Sequence, residues 1–313
     1  MSGGTEPGRA AALHVVVVGD VMVDVLVEVR APFAHASDTP SRIATTPGGS
    51  AANQAVWLAR AGVRTALVAA VGRDAFGDAA LAALVAEGVD VAHVARAARP
   101  TGTVVALVEP DGQRSMLTDR GANLALDAAA AATALRGAAT LDHVHVSGHC
   151  LLERATRPAG VEALRTAELR SATRSVDVAS AGPLRAMGPA AFLELVGGCD
   201  YLFCNLEEGQ VLSGKAAPDD VLAALGVSFG EVVCTLGGSG ARAAGGDGTR
   251  HQVASGSTAV ADTVGAGDGF TGTYLAARLS GEGIDAALAR AAVAAADVVG
   301  SRGARRWGRY SRE

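Results

Sequence analysis

The hydrophobic positions of the chain repeat with two different periods. His14 to Val18 is an unbroken apolar run closed by Gly19-Asp20, which predicts a strand buried on both faces. From Val21 to Val29 the period becomes two. Val21, Val23, Val25, Val27 and Val29 share one face; Met22, Asp24, Leu26 and Glu28 share the other. Asp24 is therefore expected to point away from the valines. After a Pro-bearing loop over 31–40, residues 41–46 read as another short strand. An Ala-rich helix opens after Pro47-Gly48-Gly49 and stops at Gly62. A strand over 65–71 and a helix over 77–87 follow. Two strand-like runs, 101–109 and 113–120, flank Pro110-Asp111-Gly112, a hairpin signal.

Beyond Gly121-Ala122-Asn123 strands and helices alternate again. An Ala-rich helix after Leu124 precedes a strand over 143–147. A helix over 159–171, a strand over 175–178, a helix over 189–197 and strands over 201–204 and 232–236 come next. An alternating run over 258–261 leads to Asp262-Thr263-Val264-Gly265-Ala266-Gly267-Asp268, ahead of a helix over 271–279. This order predicts an α/β protein whose sheet is covered on both faces. The core is expected to comprise 13–20, 47–98 and 122–313. The excursions 21–46 and 99–121 form a small β lid over the ligand, and 1–12 is expected to be a disordered N-terminus.

Composition narrows the partners. Net charge is −5, and no basic stripe interleaved with aromatics occurs, so nucleic acid is not an expected partner. The apolar run at 10–18 is too short to span a membrane and lacks a basic leader, so a cytoplasmic protein is expected. The four cysteines form no C-x-x-C pair and read as small buried hydrophobes.

Candidate chemistry gathers at the carboxyl ends of the predicted strands, where open α/β sheets bind ligands. Gly265 to Asp268 falls at the N-terminus of a helix, whose free N–H groups and dipole make an anion site suited to phosphate. A carboxylate beside that site suits Asp268 to take a proton from an attacking hydroxyl. The alternative is that Asp268 only caps the helix. Gly48 and Gly49 permit close backbone approach, and Asn53 offers both a donor and an acceptor. Asn205 and Glu208 sit three apart at a helix start; Glu208 suits a water of Mg2+, or simply the helix dipole. Gly237 to Gly240, after Thr235, either lets a nucleotide lie on the backbone or makes an ordinary turn.

Taken together, these motifs resemble the PfkB carbohydrate kinase family, of ribokinase-like fold, over roughly His14 to Ala304. Asp262 to Asp268 resembles its D-T-x-G-A-G-D signature, Gly48 to Ala55 its first signature, and Asn205 to Glu208 its N-x-x-E motif. The resemblance implies a three-layer α/β/α core with a mostly parallel sheet and a β lid that is a candidate homodimer interface. It implies an ATP- and Mg2+-dependent kinase acting on a hydroxyl, a primary one expected, of a sugar or sugar-like molecule. Asp268 would be the base. The N–H groups of Gly265, Ala266 and Gly267 would form an anion hole. Asp24, Gly48, Gly49, Asn53 and His149 would bind the sugar. Asn205, Thr235, Gly237, Gly240 and Gly267 would bind the nucleotide. Glu208 would act on Mg2+ through water, and Asp262 and Gly303 on a monovalent cation, K+ foremost.

Two departures bear on the acceptor. Met22 and Ser50 stand where ribokinases tend to carry Asn and Lys, which argues against a plain ribose pocket. Ala292 stands where an Asn or His often lies near the adenine. Two rivals remain: a nucleoside kinase of the same family, for which Phe33 is the sole aromatic in the lid stretches, and a catalytically silent sugar or nucleotide sensor. Gly19-Asp20 after the first strand is not a G-x-G-x-x-G turn, and no G-x-x-x-x-G-K-[ST] run is present.

Overall fold

A computed structural model describes residues 13–30, 32, 34–108, 114–256, 263–300 and 304. The expected N-terminal disorder, the Pro110-Asp111-Gly112 turn, the run over 258–261, Phe33, Asp262 and Gly303 lie outside the described residues.

In chain order the strands are β1 (His14–Val18), β2 (Met22–Val29), β3 (Ser41–Gly48), β4 (Arg64–Gly72), β5 (Asp90–Ala97), β6 (Gly102–Val108) and β7 (Arg114–Asp119). There follow β8 (His143–Ser147), β9 (Thr173–Asp177), β10 (Tyr201–Asn205), β11 (Glu231–Thr235), β12 (Ala241–Gly245) and β13 (Arg250–Val253). Nine form one sheet, ordered β13-β12-β11-β10-β9-β8-β1-β4-β5. Strands β5 to β11 along that order pair parallel; β12 and β13 add an antiparallel edge.

The valine run of β1 is buried along its whole length, as a central parallel strand must be, and β8 is buried as completely although His143, His145 and Ser147 alternate with its valines. Two apolar clusters cover the two sheet faces. One takes Val16 and Val18 of β1, the other Val15 and Val17. The sheet is thus the middle of three layers. Strand order reverses between β1 and β8, so the crevice for a ligand opens there, beyond Val18 and Ser147.

A second sheet, β3-β2-β6-β7, stands over that crevice. Strands β6 and β7 pair antiparallel, while β2 and β6 pair parallel. Strand β3 continues to Gly48, so this glycine, expected at the acceptor, is the last residue of the lid strand. Met22, Asp24, Leu26 and Glu28 turn toward the crevice side, as the period-two pattern requires.

Several elements carry no clear sequence signal. Strand β5 is a largely exposed edge, so its pattern lacks an apolar run. Strand β12 is Ala-rich and reads as helical. The helix Ile284–Val299, which packs on Ala266–Leu279, was not among the expected elements, although its Ala-rich run favours a helix. Among the described residues no helix is long and apolar enough to cross a membrane, and the four cysteines are free and buried.

Candidate active site

The helix Ala266–Leu279 begins at Gly265, which has φ +77°. A side chain here would be strained by that angle, and its Cβ would stand 2.1 Å from Ala304 Cβ. Asp268 is the third residue of the helix. It caps nothing: no side-chain bond caps this helix. Its carboxyl instead reaches across to the helix Ser50–Arg60. Ser50 Oγ donates to Asp268 Oδ1 at 2.6 Å, and Asn53 Nδ2 donates to Oδ2 at 2.8 Å. Spacing of three puts Ser50 and Asn53 on one face of that helix. Its first turn is set by Gly49, at φ +91°, where a Cβ would meet the Asp20 carbonyl oxygen at 2.7 Å.

Burial pushes the Asp268 carboxyl up to about 8. The bonds from Ser50 and Asn53 oppose that rise, and the charges of Asp177 and Asp20 add to it. Asp177, the last residue of β9, faces the same spot. Gln54 Nε2 donates to its Oδ2 at 2.7 Å, and Ser50 Oγ lies 3.5 Å from that oxygen. Burial lifts Asp177 to about 6, against its bonds to Gln54, Ala179 and Ser50.

A cavity of about 730 Å³ opens over Asp268. Asp24, Gly49 and Asn53 line it, and Gly48 adjoins: a Cβ there would meet the Asp24 carboxylate at 2.5 Å. Met22 also lines the cavity but is buried, its Sδ at 3.1 Å from Asn123 Nδ2. His149, on the helix Gly148–Leu152, is in the wall as expected. Its Nδ1 lies 2.7 Å from Arg120 Nη2, whose Nη1 is 3.4 Å from Asp20 Oδ2. Burial, with Arg120 adding, holds the imidazole below its ordinary value, against the pull of Asp20. A neutral His149 accepting from Arg120 at Nδ1 carries its proton on Nε2.

Asn205 and Glu208 form a reciprocal capping box on the helix Leu206–Ser213. Glu208 N donates to Asn205 Oδ1 at 2.9 Å and Asn205 N to Glu208 Oε2 at 2.8 Å. Both residues line the cavity, so the capping role and a ligand role are compatible. Burial, then the charge of Asp177, lifts Glu208 to about 7. Among the described residues no group of three metal-ligating side chains forms a cage. What the cavity offers a hard cation is carboxylate oxygen from Glu208 and Asp177, which fits Mg2+ held mostly by water and phosphate.

A second cavity, of about 410 Å³, adjoins and shares Thr235 and Gly267 with the first. Gly237, Gly240 and Ala292 line it. Gly240 is also fixed by the turn, since a Cβ there would lie 2.0 Å from the Val253 carbonyl oxygen. Of the expected anion-hole donors, Ala266 N–H bonds the Thr263 carbonyl at 3.3 Å, while a Cβ at Gly267 would meet nothing within 4 Å. The N–H groups of the first turn thus lie at the junction of the two cavities.

Asp20, Arg120 and Asp177 were not singled out as site residues from sequence, and Ser50 was marked only as a departure bearing on the acceptor. Ser50 and Gln54 share a helix face with Asn53, which was a usable signal. Asp177 closes a strand like Asn205 and Thr235, and that position was the clue to it.

Comparison with known proteins bears on this geometry. A model of the pfkB family of carbohydrate kinases matches residues 12–307. The ribokinase of Schizosaccharomyces pombe is 28% identical over 93% of this chain and 93% of its own length. The 2-dehydro-3-deoxygluconokinase of Thermoproteus tenax is 30% identical over 96% of this chain and 93% of that protein. The structure of Arabidopsis thaliana ribokinase complexed with ribose and ATP superposes with TM-score 0.77 and 25% identity, covering 94% of each chain.

Proposed function

This chain belongs to the pfkB family of carbohydrate kinases, and we propose that its cleft moves the γ-phosphoryl group of ATP to a primary hydroxyl of a sugar-like acceptor, with Asp268 as base. The observation that carries this reading is the position of Asp268. Its carboxyl lies at the first turn of a helix, where one cavity meets another. An acceptor hydroxyl in the larger cavity and a phosphoryl group at the helix N-terminus then meet over one carboxylate.

The acceptor sits between Asp24, Asn53 and His149, with Gly48 and Gly49 leaving it room. Asp268 takes the hydroxyl proton as attack proceeds. Charge growing on the phosphoryl oxygens falls among the N–H groups of Gly265, Ala266 and Gly267. Thr235, Gly237 and Gly240 lie along the nucleotide, with Asn205 near its phosphates. Glu208 and Asp177 would hold Mg2+ through water; when bound, the ion neutralises phosphate charge. Asp262 and Gly303 keep their proposed role on a monovalent cation. The β2–β3–β6–β7 lid excludes water and is the proposed dimer face.

Arg120 is the cation lining the larger cavity among its described residues, and the His149 Nε2–H donor lies beside it. That pair favours an acceptor with its own carboxylate or phosphate. Among the described residues, the lid side chains facing the acceptor, Met22, Val104, Met116 and Thr118, include no ring to stack on a base. This supports a sugar over a nucleoside.

The test is ATP turnover with Mg2+ on neutral sugars, sugar acids, sugar phosphates and nucleosides, with and without K+. Turnover of an anionic sugar is expected. A nucleoside as the sole substrate would replace this reading, and ATP binding without turnover of any acceptor would favour a sensor.

A further inference from the structure

Two histidines of β8 take no part in the chemistry above, yet they connect to it. His143 and His145 are fully buried and face β9. His143 Nδ1 lies 2.7 Å from Thr173 Oγ1, and its Nε2 lies 2.6 Å from Ser175 Oγ. His145 Nδ1 is 2.6 Å from the same hydroxyl, and its Nε2 is 2.9 Å from Gln54 Oε1. Gln54 Nε2 then donates to Asp177 Oδ2 at 2.7 Å. The chain of contacts runs the length of β9, about 13 Å, from its outer end to the cleft.

Proton positions follow from the cleft outward. The Gln54 amide nitrogen faces Asp177, so its oxygen faces His145, and His145 must carry its proton on Nε2. Burial holds both imidazoles neutral, so His145 Nδ1 is an acceptor and the Ser175 hydroxyl donates to it. Ser175 has one proton, so His143 Nε2–H donates to its oxygen. His143 Nδ1 then accepts from the Thr173 hydroxyl at 2.7 Å, in preference to the Asp142 carbonyl oxygen 3.1 Å from the same hydroxyl. Every donor points the same way, toward the carboxylate. An ionised Asp177 is what this polarity suits; the reverse polarity needs Asp177 protonated and the Gln54 amide turned over. The amide also rules out a proton conduit, since passing a proton through it would require an imidic acid.

We propose that His143, Ser175 and His145 are positioning residues, a one-directional hydrogen-bond chain that locks the Gln54 amide with its nitrogen toward Asp177, beside Asp268. The kinetic part of this rests on the kinase reading; the proton arrangement does not. Facing Asp177 are the Asp20, Glu208 and Asp268 carboxyls and the Cys204 thiol, with Ser50 and Gln54 from the helix.

Two measurements test the chain. Imidazole nitrogen NMR of the intact protein at neutral pH should find His143 and His145 both protonated on Nε2 and bare on Nδ1. A proton on Nδ1 of His145 would overturn the proposal whether or not the protein turns over any sugar. Kinetically, Ser175→Ala should raise the acceptor KM about tenfold, the scale of one hydrogen bond to a charged group, and leave the KM for ATP alone. Ser175→Thr, which restores a hydroxyl, should recover the parent KM. Added to Gln54→Leu, Ser175→Ala should cost nothing more. Additive losses would mean that these side chains only fill space.

Discussion

The Ser50 hydroxyl donates to Asp268 Oδ1 at 2.6 Å, joining the N-terminal signature stretch to a carboxylate 218 residues away. This bond stabilises the ionised form of a carboxyl that burial drives toward protonation. Ser50→Ala removes it, so the Asp268 value should move further up from about 8. The acid limb of the acceptor kcat/KM profile should shift to higher pH, with the alkaline plateau largely kept. An unmoved limb would show that Asp268 does not govern it.

The same carboxyl weakens the free protein. Its value in the fold, about 8, lies above the ordinary 3.8, so ionising it opposes folding. The stability it contributes is complete below about pH 4 and is lost as pH rises through about 8. Asp268→Asn, neutral throughout, should melt higher than the parent at pH 8.5 and equally near pH 4. Thermal melts at the two pH values check the sign.

Glu208→Gln separates two roles of one residue. Glutamine still accepts the Asn205 N–H and completes the capping box, so the helix Leu206–Ser213 should persist. Loss of the negative charge should raise the Mg2+ concentration needed for half-maximal rate by about tenfold. Melting should not fall. A destabilised variant with unchanged Mg2+ dependence would reduce Glu208 to its cap.

Gly265→Ala places a Cβ at φ +77°, against Ala304. The left-handed angle alone costs about 1–2 kcal/mol. The variant should melt several degrees lower and lose phosphoryl transfer more than acceptor binding, as read by turnover beside acceptor titration.

Much of this was legible in the sequence. Unbroken Val runs gave β1 because a strand covered on both faces needs no polar side. The alternation from Val21 gave the orientation of Asp24, since side chains on a pleat must alternate. Gly265 and Gly49 marked two backbone positions that no other residue fits. What stayed hidden is of another kind. Asp177 and Gln54 lie 123 residues apart, and nothing local marks Asp177 as more than a strand end. Ser50 read as a lost polar contact, whereas its hydroxyl is spent on Asp268. The β12–β13 edge escaped because alanine prefers helix and only the neighbouring β11 makes it a strand.

Asp268→Asn assayed for turnover and for nucleotide affinity tests the central claim most directly. General-base catalysis predicts that kcat falls about 10²–10⁴-fold while the Kd for ATP stays within a small factor of the parent. A variant turning over near the parent rate would contradict the assignment of Asp268 as the base.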